Sequence, residues 1–291
     1  VQGSSREDEA QLTMRLLDLK ALTALALYTP VISSFSFSSS WSSAVHIIEH
    51  ITSPPSQAAS RVALEDITNV RIPGPPGSHA EILAYRAVPT KTRNTDGGDC
   101  VVLLHEFFGL NPSIVDKARG LAEDLGCTVV APDTFRGEVT NFIPKAIWLA
   151  LTTPQGRVND DLDAVCRFLE QDMGWSSNSG GRLAVMGFCY GGGKAIRFTT
   201  QRQPDAATVV FYGSPVTEME ELRKLRAPVC GVFGDRDVQF PADLLDKFRA
   251  ALDDAGVKSD IRVYEGVGHA FWKDMDEVRR RVQPQTKAYE Q

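Results

Sequence analysis

The chain has 291 residues, 43% hydrophobic and 23% charged, an ordinary balance for a folded globular protein with room for one large α/β domain. A net charge of −6, with no basic run beyond Arg279-Arg280-Arg281, argues against a nucleic acid partner. Five scattered cysteines, with no Cys-x-x-Cys pair, argue against zinc and against a disulfide framework, and they suit a reducing compartment.

Residues 1–61 differ from the rest. Met14-Arg15-Leu16-Leu17 leads into an apolar run from Ala21 to Val31, followed by serine-rich stretches at 32–43 and 53–60. The apolar run is too short and too interrupted by Thr, Tyr and Pro to span a bilayer, so no stable membrane insertion is expected. The segment reads equally as a targeting peptide, if translation starts at Met14, or as a poorly ordered extension. The corresponding compartments are an organelle and the cytoplasm. The chain opens on Val1, as a fragment or a processed form would.

From residue 62 to 291 a single regular domain is expected. Glu81–Val88 alternates like a half-buried strand. Short apolar runs then recur at Cys100–Leu104, Cys127–Ala131, Leu183–Met186, Ala207–Tyr212, Val229–Phe233 and Ile261–Tyr264. Continuous apolar strands suit a parallel sheet covered on both faces. Between them, Ile114, Ala118, Leu121 and Leu125 share one helical face, as do Val158, Leu162, Val165 and Leu169, and Leu244, Leu245, Phe248 and Leu252. This alternation predicts an α/β fold, a doubly wound, mostly parallel sheet with right-handed crossovers and helices on both faces.

In such a sheet, sites form beyond the carboxyl ends of the strands. His105-Glu106-Phe107-Phe108-Gly109, Asp133, Cys189, Gly234-Asp235-Arg236-Asp237 and Gly266-Val267-Gly268-His269 each follow an apolar run. Gly187-Phe188-Cys189-Tyr190-Gly191 is the Gly-x-nucleophile-x-Gly pattern of a nucleophile elbow, with a thiol in place of the usual hydroxyl. The competing reading is a buried free cysteine beside a glycine-rich turn.

A thiol nucleophile needs a base, because an ordinary cysteine is mostly protonated at neutral pH. α/β-Hydrolases place nucleophile, acid and histidine in that chain order. Of five histidines, only His269 follows Cys189. Asp235 and Asp237 both fit the acid on spacing, which leaves the choice open. The backbone N–H groups of Phe107 and Tyr190 are the candidates for an oxyanion hole, where one donor contributes about 3–4 kcal/mol to transition-state stabilisation.

These motifs together, with Pro132-Asp133-Thr134-Phe135-Arg136-Gly137, Pro241 and Gly268-His269-Ala270-Phe271, resemble the dienelactone hydrolase (carboxymethylenebutenolidase) family from about residue 65 to 275. The resemblance implies an α/β-hydrolase fold, with Cys189 as nucleophile, His269 as base and Asp237, through its spacing to Pro241, as acid. It places Glu106 beside the thiol as a supporting carboxylate. It implies substrate-carboxylate binding by Arg136, one residue off the family spacing, and by Lys273, where the family favours arginine. A lysine there offers a point charge rather than a two-pronged donor. Lys287–Gln291 stands about where the family's long final helix begins, so that helix is expected to be truncated or replaced.

The expected activity is hydrolysis of a small ester or lactone through an acyl-cysteine, with a small-molecule partner, no cofactor or metal, and a monomeric state. A broader esterase or thioesterase, and a non-catalytic binding or signalling homologue, are the rival readings.

Overall fold

The computed structural model describes residues 57–78, 80–92 and 98–291. The Met14 segment and the serine-rich stretches lie outside the described residues. The chain divides into two units, one of 56–139 with 153–291 and one of 1–55 with 140–152. Of the second, 140–152 is described: Thr140 Oγ1 accepts the Phe142 N–H at 3.0 Å ahead of helix α3 (Ile143–Thr152).

The first unit opens with α1 (Gln57–Ile67), β1 (Val70–Pro73), β2 (Glu81–Ala87), β3 (Cys100–Leu104), α2 (Pro112–Leu125) and β4 (Thr128–Pro132). It resumes with α4 (Gln155–Met173), β5 (Leu183–Phe188), α5 (Tyr190–Gln201), β6 (Ala207–Phe211), α6 (Met219–Leu222) and β7 (Val229–Gly234). It ends with α7 (Ala242–Asp254), β8 (Ser259–Tyr264), α8 (Met275–Arg279) and α9 (Gln285–Glu290). The strands form an 8-stranded sheet in the order β1-β2-β4-β3-β5-β6-β7-β8. β1 and β2 are antiparallel, and the pairings from β4 to β8 are parallel.

The strand period of two sorts side chains onto the two faces. In β3, Val101 and Leu103 pack with Ile114, Ala118 and Leu121 of α2, whereas Val102 and Leu104 pack with Val158, Leu162 and Val165 of α4. Toward the β8 edge, Val210 and Phe233 meet Leu245, Phe248 and Leu252 of α7. Each such fully buried aliphatic or aromatic side chain contributes about 1.5–3 kcal/mol.

Asn111 starts α2 by accepting the Ser113 and Ile114 N–H groups at 3.0 and 3.2 Å, a cap worth about 1 kcal/mol. Gly126, left-handed at φ 62°, stops it. Because the strands from β3 to β8 run parallel, the residues after them gather on one edge. Among the described residues no helix is long and apolar enough to cross a membrane, and no group of three or more His, Cys, Asp or Glu side chains is placed to hold a metal.

Candidate active site

Between β5 and α5 the chain reverses at one residue. Cys189 sits at φ 51°, ψ −112°, a conformation that costs a non-glycine residue about 1–3 kcal/mol. Its neighbours show what makes this turn possible. A β-carbon on Gly187 would lie 2.2 Å from the Gly191 carbonyl carbon. One on Gly191 would lie 2.5 Å from the His105 oxygen and 2.6 Å from the Leu104 oxygen. Only glycine lets the start of α5 press against both β5 and the end of β3. The thiol is thereby held, half-buried, over the N-terminus of a helix, where backbone N–H groups favour negative charge.

His269 reaches that thiol from the far side of the sheet edge. Its Nε2 lies 3.0 Å from Cys189 Sγ, and its Nδ1–H donates to Asp237 Oδ2 at 2.8 Å. Since a carboxylate only accepts, Asp237 fixes the tautomer and leaves Nε2 facing the sulfur. Burial works against a charged imidazole here, but the hydrogen bonds to Asp237 and Cys189 outweigh it and raise the ring to about 10. Asp237 is buried, and its other oxygen accepts the Gln239 N–H at 2.9 Å. Asp235 faces elsewhere, accepting the Gly266 N–H at 2.7 Å and so tying the β7 turn to the β8 turn.

The loops after β3 and β4 are locked together by a buried histidine. His105 Nδ1–H donates to the Glu106 carbonyl at 2.7 Å, so Nε2 accepts the Thr134 N–H at 3.1 Å. Burial pushes this imidazole down to about 4 and keeps it neutral. The loop carrying Phe107 is closed by the Gly109 N–H donating to the Glu106 carbonyl at 3.1 Å. Asp133 accepts the Phe135 N–H at 2.9 Å and the Gly137 N–H, and burial raises its carboxyl to about 6. Tyr190 opens α5, with its ring 4.9 Å from Phe135 and 5.8 Å from His105.

A thiol, an imidazole and a carboxylate in series, at an elbow beside a helix N-terminus, are the parts of an acyl-transfer site. The model of the dienelactone hydrolase family matches residues 82–291. The chain belongs to the dienelactone hydrolase family. A provisionally named carboxymethylenebutenolidase of Salmonella typhimurium is 31% identical over 217 residues, 68% of this chain and 76% of that one. A similarly named Escherichia coli protein is 32% identical over 209 residues, 66% of this chain and 73% of that one. The crystal structure of a provisionally assigned dienelactone hydrolase from Klebsiella pneumoniae superposes with a TM-score of 0.63 at 26% identity, covering 76% of this chain and 93% of that one. The fold is the α/β-hydrolase fold, and the protein is a hydrolase of the dienelactone hydrolase type.

Not every residue expected from the family resemblance meets the thiol. Glu106 is half-buried and shares a hydrogen bond with Tyr212 Oη at 3.3 Å; among the described residues none joins it to Cys189. Burial raises its carboxyl, against the pull of Lys117 and His269. Arg136 points its guanidinium at Asp161, with Nε and Nη2 donating to the two carboxylate oxygens at 3.1 and 2.6 Å. That pair covers a buried carboxylate. Lys273 is exposed, and its backbone carbonyl accepts from the Lys117 ammonium at 2.6 Å.

Two residues beside this cluster were not expected. Tyr212 follows β6 as the other polar groups follow their strands, at φ 38°, and its Oη donates to the Trp272 carbonyl at 3.1 Å. Its position at a strand end was the available signal. Lys117 is 1% exposed on the apolar face of α2, where a charge among Ile114, Ala118 and Leu121 breaks the helical pattern. A broken local rule of that kind is a mark of a functional or strained position.

Proposed function

We propose that this protein hydrolyses a small ester or lactone by covalent thiol catalysis, with Cys189 as nucleophile, His269 as proton carrier and Asp237 as its orienting acid. The observation that carries the reading is the unbroken series Cys189 Sγ, His269, Asp237 at 3.0 and 2.8 Å. The raised His269 holds a proton on the ring beside the sulfur, the acid that a departing oxygen needs.

The sulfur adds to the substrate carbonyl, forming a C–S bond and an oxyanion that accepts the Phe107 and Tyr190 N–H groups. Collapse breaks the C–O bond, and His269 gives its proton to the leaving oxygen. In a lactone that oxygen stays tethered, so the ring opens into an acyl-cysteine. Water then attacks the thioester while His269 takes its proton, and the C–S bond breaks to restore the thiolate. Glu106, one hydrogen bond from Tyr212 and within the electrostatic reach of His269, would disfavour a free thiolate by like charge or take a proton when substrate arrives.

The names of the relatives point to a lactone bearing a carboxylate. Of the two cations proposed to meet that group, Arg136 is already committed to Asp161, so Lys273, exposed four positions past His269, is the one left to receive it. The test is intact-protein mass spectrometry with a carboxylated dienelactone, a neutral lactone, an aryl ester and a thioester. The expected result is an acyl adduct on Cys189 and its disappearance, with turnover, in Cys189→Ala. Retained turnover in that variant overturns the proposal. Adducts from thioesters alone move the substrate class.

A further inference from the structure

Lys117 is a buried cation without an acidic partner at ion-pair distance among the described residues. Its Nζ donates to the Ser113 hydroxyl at 3.0 Å and to the Lys273 carbonyl at 2.6 Å. It also stands over the Phe188 ring at 5.1 Å and the Trp272 ring at 5.3 Å. Burial pushes the ammonium down. Glu106 from the turn after β3, Asp274 and Glu277 at the start of α8, and Asp116 on its own helix pull it back up. Desolvating an ammonium is costly, so a fold that does so is using either the charge or the donors.

The Lys273 carbonyl is the last of three in a row that side chains hold. Phe271 O accepts from Gln285 Nε2 at 3.1 Å, and Trp272 O from Tyr212 Oη at 3.1 Å. Lys273 O accepts from Lys117 and also from Ser113 Oγ at 2.5 Å. The segment so tied down begins at His269, and Ala270 inside it sits at φ 53°, a conformation alanine rarely adopts. The imidazole therefore hangs from a strained turn whose far end is fixed by side-chain donors.

We infer that Lys117 is a positioning residue for His269: by holding the Lys273 carbonyl it keeps the 269–273 segment in place, so that one ring meets both Cys189 and Asp237. The inference rests on the proposed roles of Cys189 and His269. It also accounts for a charge on the apolar face of α2 that packing alone would replace with a hydrophobe.

The test is Lys117→Met, which keeps the stem over Phe188 and Trp272 and removes the donors and charge. Lys117 has no acid at ion-pair distance among the described residues, and Ser113 Oγ still donates to the Lys273 carbonyl in the variant, so the exchange orphans neither a paired charge nor that acceptor; a melting curve checks that it folds. The expected result is a kcat about 10- to 100-fold lower, with KM within about threefold, since small misplacements of a reacting group cost rate rather than binding. The pH midpoint for alkylation of Cys189 by iodoacetamide moves toward that of His269→Ala, because alkylation reads the thiolate that the imidazole sustains. Lys117→Leu, which also removes both the charge and the donors, is read in the same way should the methionine variant not fold. A kcat within about threefold of wild type, or a lowered kcat with an unmoved alkylation midpoint, overturns the inference. Cys189→Ala assayed alongside separates the two readings: if it keeps turnover, the thiol mechanism falls; if it is dead while Lys117→Met is normal, only the positioning role falls.

Discussion

Asp237 and Asp235 stand two residues apart in one turn and do different work. Asp237 accepts the imidazole N–H of His269 at 2.8 Å, whereas Asp235 accepts the backbone N–H of Gly266 at 2.7 Å. The turn between them points one carboxylate into the site and the other into the joint between two strand-end loops.

Their asparagine variants should separate accordingly. Asp237→Asn keeps the shape but offers an amide that no longer holds the imidazole tautomer, and kcat should fall by at least about 100-fold with little change in melting temperature. Asp235→Asn should lose about 1 kcal/mol of stability and keep a rate within about fivefold of wild type. Steady-state rates and thermal melts read both, and equal rate losses would contradict the assignment.

Two buried groups in the neighbouring loops titrate against each other. His105 is pushed from 6.5 down to about 4 by burial, so between those values the unfolded chain binds its proton and the folded one does not. Its stabilisation is present above pH 6.5 and is lost as pH falls toward 4. Asp133 is pushed by burial from 3.8 up to about 6, so its contribution has the opposite sign, present below 3.8 and lost as pH rises through 6. Each is worth on the order of 3 kcal/mol, and in the wild type they largely cancel between pH 4 and 6. Denaturant titrations across that range should expose the hidden slopes. Relative to wild type, Asp133→Asn should gain stability as pH rises, and His105→Gln should lose it.

The elbow gives a steric prediction with an internal control. A β-carbon on Gly191 meets two carbonyl oxygens at 2.5 and 2.6 Å, and both belong to the end of β3 and its loop rather than to flexible side chains. Gly191→Ala should therefore destabilise by about 3 kcal/mol and abolish turnover, because relief requires the elbow to move away from Phe107. Gly156, in the first turn of α4, has nothing within 4 Å of its added carbon. Gly156→Ala should be neutral or stabilising by up to about 1 kcal/mol. Chemical denaturation of the two variants checks the contrast.

How much of this was legible in the sequence depended on whether a residue's neighbours in the chain share its environment. The strands at Cys100–Leu104, Leu183–Phe188 and Val229–Gly234 are apolar throughout because both their faces are covered, and that reads directly. β1 is only 4 residues at an antiparallel edge, and Val70-Arg71-Ile72-Pro73 carries no run to find. Cys189 and His269 were legible because glycines or chain order single them out. Asp237 needed the family's spacing. Arg136 looked available because Asp161, its partner, lies on another element and only the folded chain brings it near. Lys117 was visible as a charge in an apolar stripe, but its target, a backbone carbonyl far along the chain, leaves no trace in side-chain identity.

The two cations near the site should part company when each is removed. Lys273 is exposed, with no hydrogen bond or ion pair from its side chain among the described residues, so Lys273→Ala disturbs little in the fold. If it receives the substrate's carboxylate, KM for a carboxylated lactone should rise about tenfold while KM for a neutral ester stays put, the loss expected for one charge-assisted hydrogen bond. Arg136→Ala instead strips the partner from Asp161, whose side chain is 1% exposed, and leaves a buried charge uncompensated. That should lower stability by roughly 2 kcal/mol or more and affect both substrates alike. Paired kinetics on the two substrates, with melts of both variants, distinguish them. A carboxylate-selective KM defect in Arg136→Ala would return substrate recognition to the guanidinium, and would require Asp161 to release it when substrate binds.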